Sequence, residues 1–86
     1  MNNTLYIGNL HTDTNEEDLS NILSEAGKVL QVKLITDMIT GQSKGFAFAN
    51  METDQEAIKA IETLNGQNHN GKKLIITGGK SIPENL

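Results

Sequence analysis

Three rings and one lysine set the chemical possibilities of this chain. Tyr6, Phe46 and Phe48 are its only aromatic residues. They lie in two strand-like runs, Leu5-Tyr6-Ile7-Gly8-Asn9-Leu10 and Lys44-Gly45-Phe46-Ala47-Phe48-Ala49-Asn50-Met51. Side chains alternate between the two faces of a strand. Tyr6 therefore opposes Leu5 and Ile7, and Phe46 and Phe48 oppose Gly45, Ala47, Ala49 and Met51. A small domain ordinarily places its aromatics in the core. Here the small and aliphatic residues take the inner side and the rings take the outer one. Flat rings on an outer face, with Lys44 beside them, suit a flat partner that stacks and carries negative charge.

Few other residues offer chemistry. The chain has no cysteine, so it has neither a disulfide nor a thiolate metal site. His11 and His69 stand alone in polar stretches with no nucleophile between them, and no catalytic residue, metal or cofactor is expected. The acids Glu16, Glu17 and Asp18 fall in the first turn of a helix, where negative charge favours the helix dipole. They read as stabilising groups. Gly8 and Gly45 lie within strands, without the spacing of a phosphate-binding loop. There is no arginine, so the bidentate grip on phosphate used by small hydrolases of the acylphosphatase-like kind is missing. The residues point to a binding protein and not to an enzyme.

The elements that position the rings follow from periodicity. Residues 4–10 read as a first strand. Thr14 and Glu17 have capping-box spacing, and Leu19, Ile22, Leu23 and Ala26 give a helix over 15–26 with one apolar face. Gly27 suits the left-handed residue that closes a helix. Residues 29–36 form a second strand, with Val32 and Leu34 on one face and Gln31, Lys33 and Ile35 on the other. Residues 37–43 form a loop with Thr40-Gly41 as its turn, and 44–51 a third strand. Thr53 and Glu56 cap a second helix whose stripe is Ala57, Ile58, Ala60, Ile61 and Leu64, ended by Asn65-Gly66. A polar turn region with room for a short hairpin covers 67–71. A last strand at 73–77 points Leu74 and Ile76 inward and Lys73, Ile75 and Thr77 outward.

That order, βαββαβ, is the α+β ferredoxin-like sandwich: one four-stranded antiparallel sheet with both helices on one face. The expected core is Leu5, Ile7, Leu10, Leu19, Ile22, Leu23, Ala26, Val29, Val32, Leu34, Ala47, Ala49, Met51, Ala57, Ala60, Ile61, Leu64, Leu74 and Ile76. One domain covers 1–78, followed by a short polar tail at 79–86. The 86 residues carry a net charge of −4, which argues against a polyanionic partner until its placement is considered. Glu16, Glu17, Asp18, Glu25, Asp54, Glu56 and Glu62 all fall in the two helical segments. Among the lysines only Lys59 does, while Lys28, Lys33, Lys44, Lys72, Lys73 and Lys80 lie in strands or loops. The molecule is thus acidic behind the sheet and basic in front of it. The N-terminus does not read as a signal peptide, and no apolar stretch nears the ~20 residues of a membrane helix. A monomer in the cytoplasm is expected, or in the nucleus of a eukaryote.

Residues 44–51 resemble the octapeptide of the RNA recognition motif family, K/R-G-F/Y-G/A-F-V-x-F/Y, and Leu5-Tyr6-Ile7-Gly8-Asn9-Leu10 resembles its hexapeptide partner. The run from Thr36-Asp37 through Thr40-Gly41 to Ser43, and Leu64-Asn65-Gly66, are similar to the same family, and the resemblance covers residues 4–78. Ala49 and Met51 depart from it, standing where valine or isoleucine and an aromatic are usual. Both face the helices and alter core packing, not the outer face. The resemblance implies that Tyr6 and Phe48 each stack one base of a single-stranded RNA, that Phe46 packs against the sugars between them, and that Lys44 meets the linking phosphate. By alternation Gln31, Lys33, Ile35, Lys73, Ile75 and Thr77 share that face and add contacts, and Asn50 reads a base edge. Single-stranded DNA fits the same stacking, which is indifferent to the 2′-OH. The alternative is a protein–protein interaction module using the same face.

Overall fold

Leu5 and Ile7 are almost wholly removed from solvent and place the first strand at the centre of the molecule. The structure, a computed structural model, describes residues 3–79. In chain order these form β1 (Thr4–Gly8), α1 (Glu16–Leu23), β2 (Val29–Thr36), β3 (Ser43–Met51), α2 (Asp54–Leu64), β4 (Asn68–His69), β5 (Lys72–Lys73) and β6 (Ile75–Gly79). The four-stranded sheet runs β2-β3-β1-β6, and all its pairings are antiparallel. The helices cover one face of it, as the alternation requires.

Every residue expected in the core is there. Ile22, Val29, Val32, Leu34 and Ile61 are only partly buried at its margin, and no ring takes part. Burial of a large aliphatic side chain contributes about 1.5–3 kcal/mol. Leu5, Ile7, Leu19, Leu23, Met51 and Ile76 supply that term, and the fully buried Ala47 and Ala49 let the helices approach β3 closely. The rings are therefore not needed for cohesion.

Four local features differ from the sequence reading. The first helix is capped one residue later than expected. Asn15 Oδ1 accepts from Asp18 N at 2.8 Å, and the Asp18 carboxylate accepts from Asn15 N at 3.1 Å. Thr14 is buried instead. The helix ends at Leu23, and the turn after it still buries Ala26. Gly27 is not left-handed. It is there for space, because a Cβ would lie 2.5 Å from Cγ and Cδ of Glu56. The Glu56 carboxylate completes the α2 capping box by accepting from Thr53 N at 3.1 Å, and also accepts from Lys28 N at 3.1 Å. Ile58, counted in the α2 stripe by periodicity, is 54% exposed.

The fourth difference concerns the end of the chain. The last strand begins at Ile75, because Asn68 to Lys73 form a hairpin of their own in which Lys73 pairs with Asn68. Asn70 and Gly71, both at positive φ (54° and 81°), make its two-residue turn. Gly78 and Gly79 pair with Leu5 and Thr4, so β6 extends into the expected tail. Residues 80–86 lie outside the described residues. Strand β2 is an outer edge of the sheet, and Glu16 of α1 accepts a hydrogen bond from its Leu34 N at 2.8 Å. No helix among the described residues is long and apolar enough to cross a membrane.

Candidate nucleic-acid interface

The approach of β3 to the sheet sets the ring face. Thr36 pairs with Ser43 but Leu34 pairs with Ala47, so β3 carries extra residues opposite Ile35. Gly45 sits in this irregularity at φ +86°. A residue with a Cβ would be held there against a cost of roughly 1–2 kcal/mol. The Gly45 carbonyl accepts from Leu10 N at 2.9 Å and its N–H donates to Ser43 Oγ at 3.0 Å. Beyond this point β3 is regular. Ala47, Ala49 and Met51 point into the core and Phe46, Phe48 and Asn50 to the open face.

The three rings form a triangle. Tyr6 lies 5.7 Å from Phe48 and 5.9 Å from Phe46, and Phe46 and Phe48 meet edge to face at 6.1 Å between centroids. These separations suit favourable aromatic pairing. The rings are half-buried by one another and not freestanding. Register lines up two rows across the sheet. One runs Thr77, Tyr6, Phe48, Lys33, and the next runs Gly79, Thr4, Asn50, Gln31. In the second row Thr4 Oγ1 donates to Asn50 Oδ1 at 2.8 Å, and Asn50 Nδ2 donates to Gln31 Oε1 at 3.5 Å. Ile75, 47% exposed, extends the face beside Gly8. The Tyr6 ring leans over Gly8, where an added Cβ would meet its Oη at 3.0 Å and Cε1 at 3.1 Å.

Lys44 is exposed at the start of β3, close enough to Asp37 to help hold that carboxyl below its ordinary range. The larger causes of that depression are the backbone N–H groups of Thr40 and then Ile39, which donate to Asp37 Oδ1 at 3.0 and 2.8 Å. This turn fixes the β2–β3 loop and leaves Met38 and Ile39 each 95% exposed.

The model of the RNA recognition motif matches residues 5–75. Among relatives, the Nostoc protein RbpF, whose name describes RNA binding, is 42% identical over 77 residues, covering 90% of this chain and 73% of that one. A 29 kDa chloroplast ribonucleoprotein of Arabidopsis thaliana is 37% identical over 81 residues, 94% of this chain; the chain spans only 24% of its length. Among solved structures, the RNA-binding protein PG1 superimposes with a TM-score of 0.89 at 42% identity, covering 94% of this chain and 98% of that one. The Rna15 motif with bound RNA (GU) gives a TM-score of 0.81 at 28% identity, covering 100% and 89%. The chain belongs to the RNA recognition motif family.

Within this RNA recognition motif the structure brings Tyr6, Phe46, Phe48, Asn50, Gln31, Lys33, Ile75 and Thr77 onto one face, with Lys44 at the start of β3. Two expectations need correction. Ile35 is only 3% exposed beside the irregularity between β2 and β3, outside the cluster packed between sheet and helices, and so offers a ligand almost no surface. Lys73 does not continue the last strand; it belongs to the β4–β5 hairpin, its carbonyl held by Asn9 Nδ2 at 2.7 Å. Three residues of this motif escaped the sequence reading. Thr4 shares the phase of Tyr6, which alternation alone would have shown. Asp37 precedes Thr40-Gly41 in the pattern of an Asx turn. The role of Gly8 depends on the lean of Tyr6 and has no sequence signal. His11 Nδ1 accepts from Asp13 N at 3.1 Å, and no cluster of metal-ligating side chains occurs among the described residues.

Proposed function

We propose that this RNA-binding domain takes single-stranded RNA flat across its open sheet face, as a monomer in the cytoplasm and without a chemical step. Tyr6 and Phe48 each receive one base, Phe46 packs against the sugars between them, and Lys44 meets the linking phosphate. Lys33, Thr77, Ile75, Gln31 and Asn50 border the track, with Lys73 at its hairpin end. The observation that carries this reading is the ring triangle, with Tyr6 and Phe48 directly opposed on the face that neither helix covers. The core is complete without these rings, and the site needs no second copy.

The magnitudes favour modest binding. Stacking contributes ~1–3 kcal/mol per base, so two bases give roughly 2–6 kcal/mol. A micromolar complex needs about 8 kcal/mol. Lysines and hydrogen bonds must supply the difference without any arginine, so the expected affinity is on the order of micromolar or weaker. The test is titration of a labelled single-stranded RNA into wild type and Phe48→Ala. The variant should lose ~1–3 kcal/mol of binding and remain folded, giving up its pairs with Tyr6 and Phe46 but none of the core. Equal binding by the two proteins would overturn the proposal. A DNA strand of the same sequence, run in parallel, reports whether the 2′-OH is read.

A further inference from the structure

The β4–β5 hairpin beside the ring face is a cationic piece with no core of its own. None of residues 68–73 is buried, and two of them are the exposed Lys72 and Lys73. A lone two-stranded hairpin is at best marginally stable in water. Its base is closed by two bonds of 2.8 Å, from Leu74 N to the Gln67 carbonyl and from Gly66 N to the Leu74 carbonyl. From the sheet side, Asn9 Nδ2 donates to the Lys73 carbonyl at 2.7 Å. Asn9 directly follows β1 at φ +59°, a left-handed conformation in which asparagine is enriched among residues with a side chain. It thus joins the strand of Tyr6 to the hairpin. Gly8 pairs with Ile75, the first residue of β6, and Leu10 N donates to the carbonyl of Gly45, next to Lys44. Lys44 and the hairpin therefore flank the same end of the ring face, with Asn9 between them.

From this we infer that Asn9 is a positioning residue for RNA: it holds the hairpin so that its lysines meet a second phosphate at the end where Lys44 meets the first. The inference rests on the reading above of a strand lying across the rings. Successive side chains on a strand point to opposite sides, so Lys72 and Lys73 together give one phosphate contact and not two. The latch acts on charge and leaves stacking at Tyr6 and Phe48 untouched.

The experiment measures binding of a labelled oligouridylate across a salt series for wild type, Asn9→Gly, Lys72→Gln/Lys73→Gln and the three changes together. Glycine takes a positive φ without strain, so Asn9→Gly removes the amide and leaves the backbone its course. It should weaken binding at low salt by about two- to tenfold, the worth of one hydrogen bond. It should also lower the log–log salt slope by up to about 0.7, one phosphate of a single strand. The lysine pair should lower the slope by about 0.7. The triple variant should fall no further than the lysine pair, because Asn9 acts only through the hairpin. The exposed lysine variant keeps the test open if a change at Asn9 harms folding. A slope unchanged in Asn9→Gly or in the lysine pair, or losses that simply add in the triple variant, overturns the inference. If Phe48→Ala still weakens binding in that case, the stacking reading survives alone; if Phe48→Ala changes nothing, both fail.

Discussion

Gly8 decides where the Tyr6 ring rests. The backbone at this strand position would tolerate alanine, and relative to alanine a glycine inside a strand is less favourable by roughly 0.5–1 kcal/mol. The ring opposes the change, since a methyl group would stand 3.0–3.2 Å from its outer atoms. Gly8→Ala should therefore separate stability from binding. Its melting temperature should hold or rise slightly, while RNA affinity falls by about 1 kcal/mol, the lower end of one stacking contact. A thermal melt and a binding titration on the same sample check both halves. The phase of Tyr6, Phe46 and Phe48 was legible because period-two alternation left only aliphatic or small residues (Leu, Ile, Ala, Met and Gly45) as their inward partners. The burial of Ile35 was not legible, because the register shift opposite it has no signature in β2 itself.

The loop between β2 and β3 is organised by one carboxylate. Asp37 accepts from Ile39 N and Thr40 N, its own N–H donates to the Gln42 carbonyl at 2.7 Å, and its carbonyl accepts from Gly41 N at 2.8 Å. The bonds from Thr40 and Ile39, helped by Lys44, lower the Asp37 pKa from its ordinary value of 3.8. A carboxyl whose pKa falls on folding stabilises the folded state above its unfolded pKa, and that contribution is lost as pH drops through the folded value. The loop should keep its turn down to pH 3.8 and loosen only below it. Chemical shifts of the Ile39 and Thr40 amides, followed through an acid titration, would show one joint transition with a midpoint below 3.8; a midpoint at or above it contradicts the turn. Among the elements, the second helix and its cap were readable because Thr53 and Glu56 offered one candidate box. At the first, the spacing of Thr14 to Glu17 misled, because Thr14 is buried and the box is made one residue on by Asn15 and Asp18. The short hairpin allowed for at 67–71 forms as β4–β5, but its reach to Lys73 was hidden because residues 67–73 carry no apolar alternation, only the Asn70-Gly71 turn.

The whole molecule sets its charges apart. Both helices begin with acids, at Glu16, Glu17 and Asp18 in α1 and at Asp54 and Glu56 in α2. Lys33 and Lys44 stand on the strands that carry Phe48 and its row. With so few cations at the track, RNA binding should depend weakly on salt. At ~0.7 per phosphate, three contacts give a log–log slope of about 2. Affinities measured across a salt series test this, and a slope several-fold steeper would mean that lysines and not rings hold the RNA. The fold class was legible at this scale since the order of elements fixes it. How the helical acids are used was not, and Glu16 is the case in point. An outer strand with bare N–H groups is a template on which another chain can add itself. Here a carboxylate occupies the Leu34 N–H, and a second copy arriving along the same edge would bring the same negative charge to meet it. The acid in the first helical turn thus also guards the sheet edge: by occupying one of its donors it raises the cost of open-ended strand addition there.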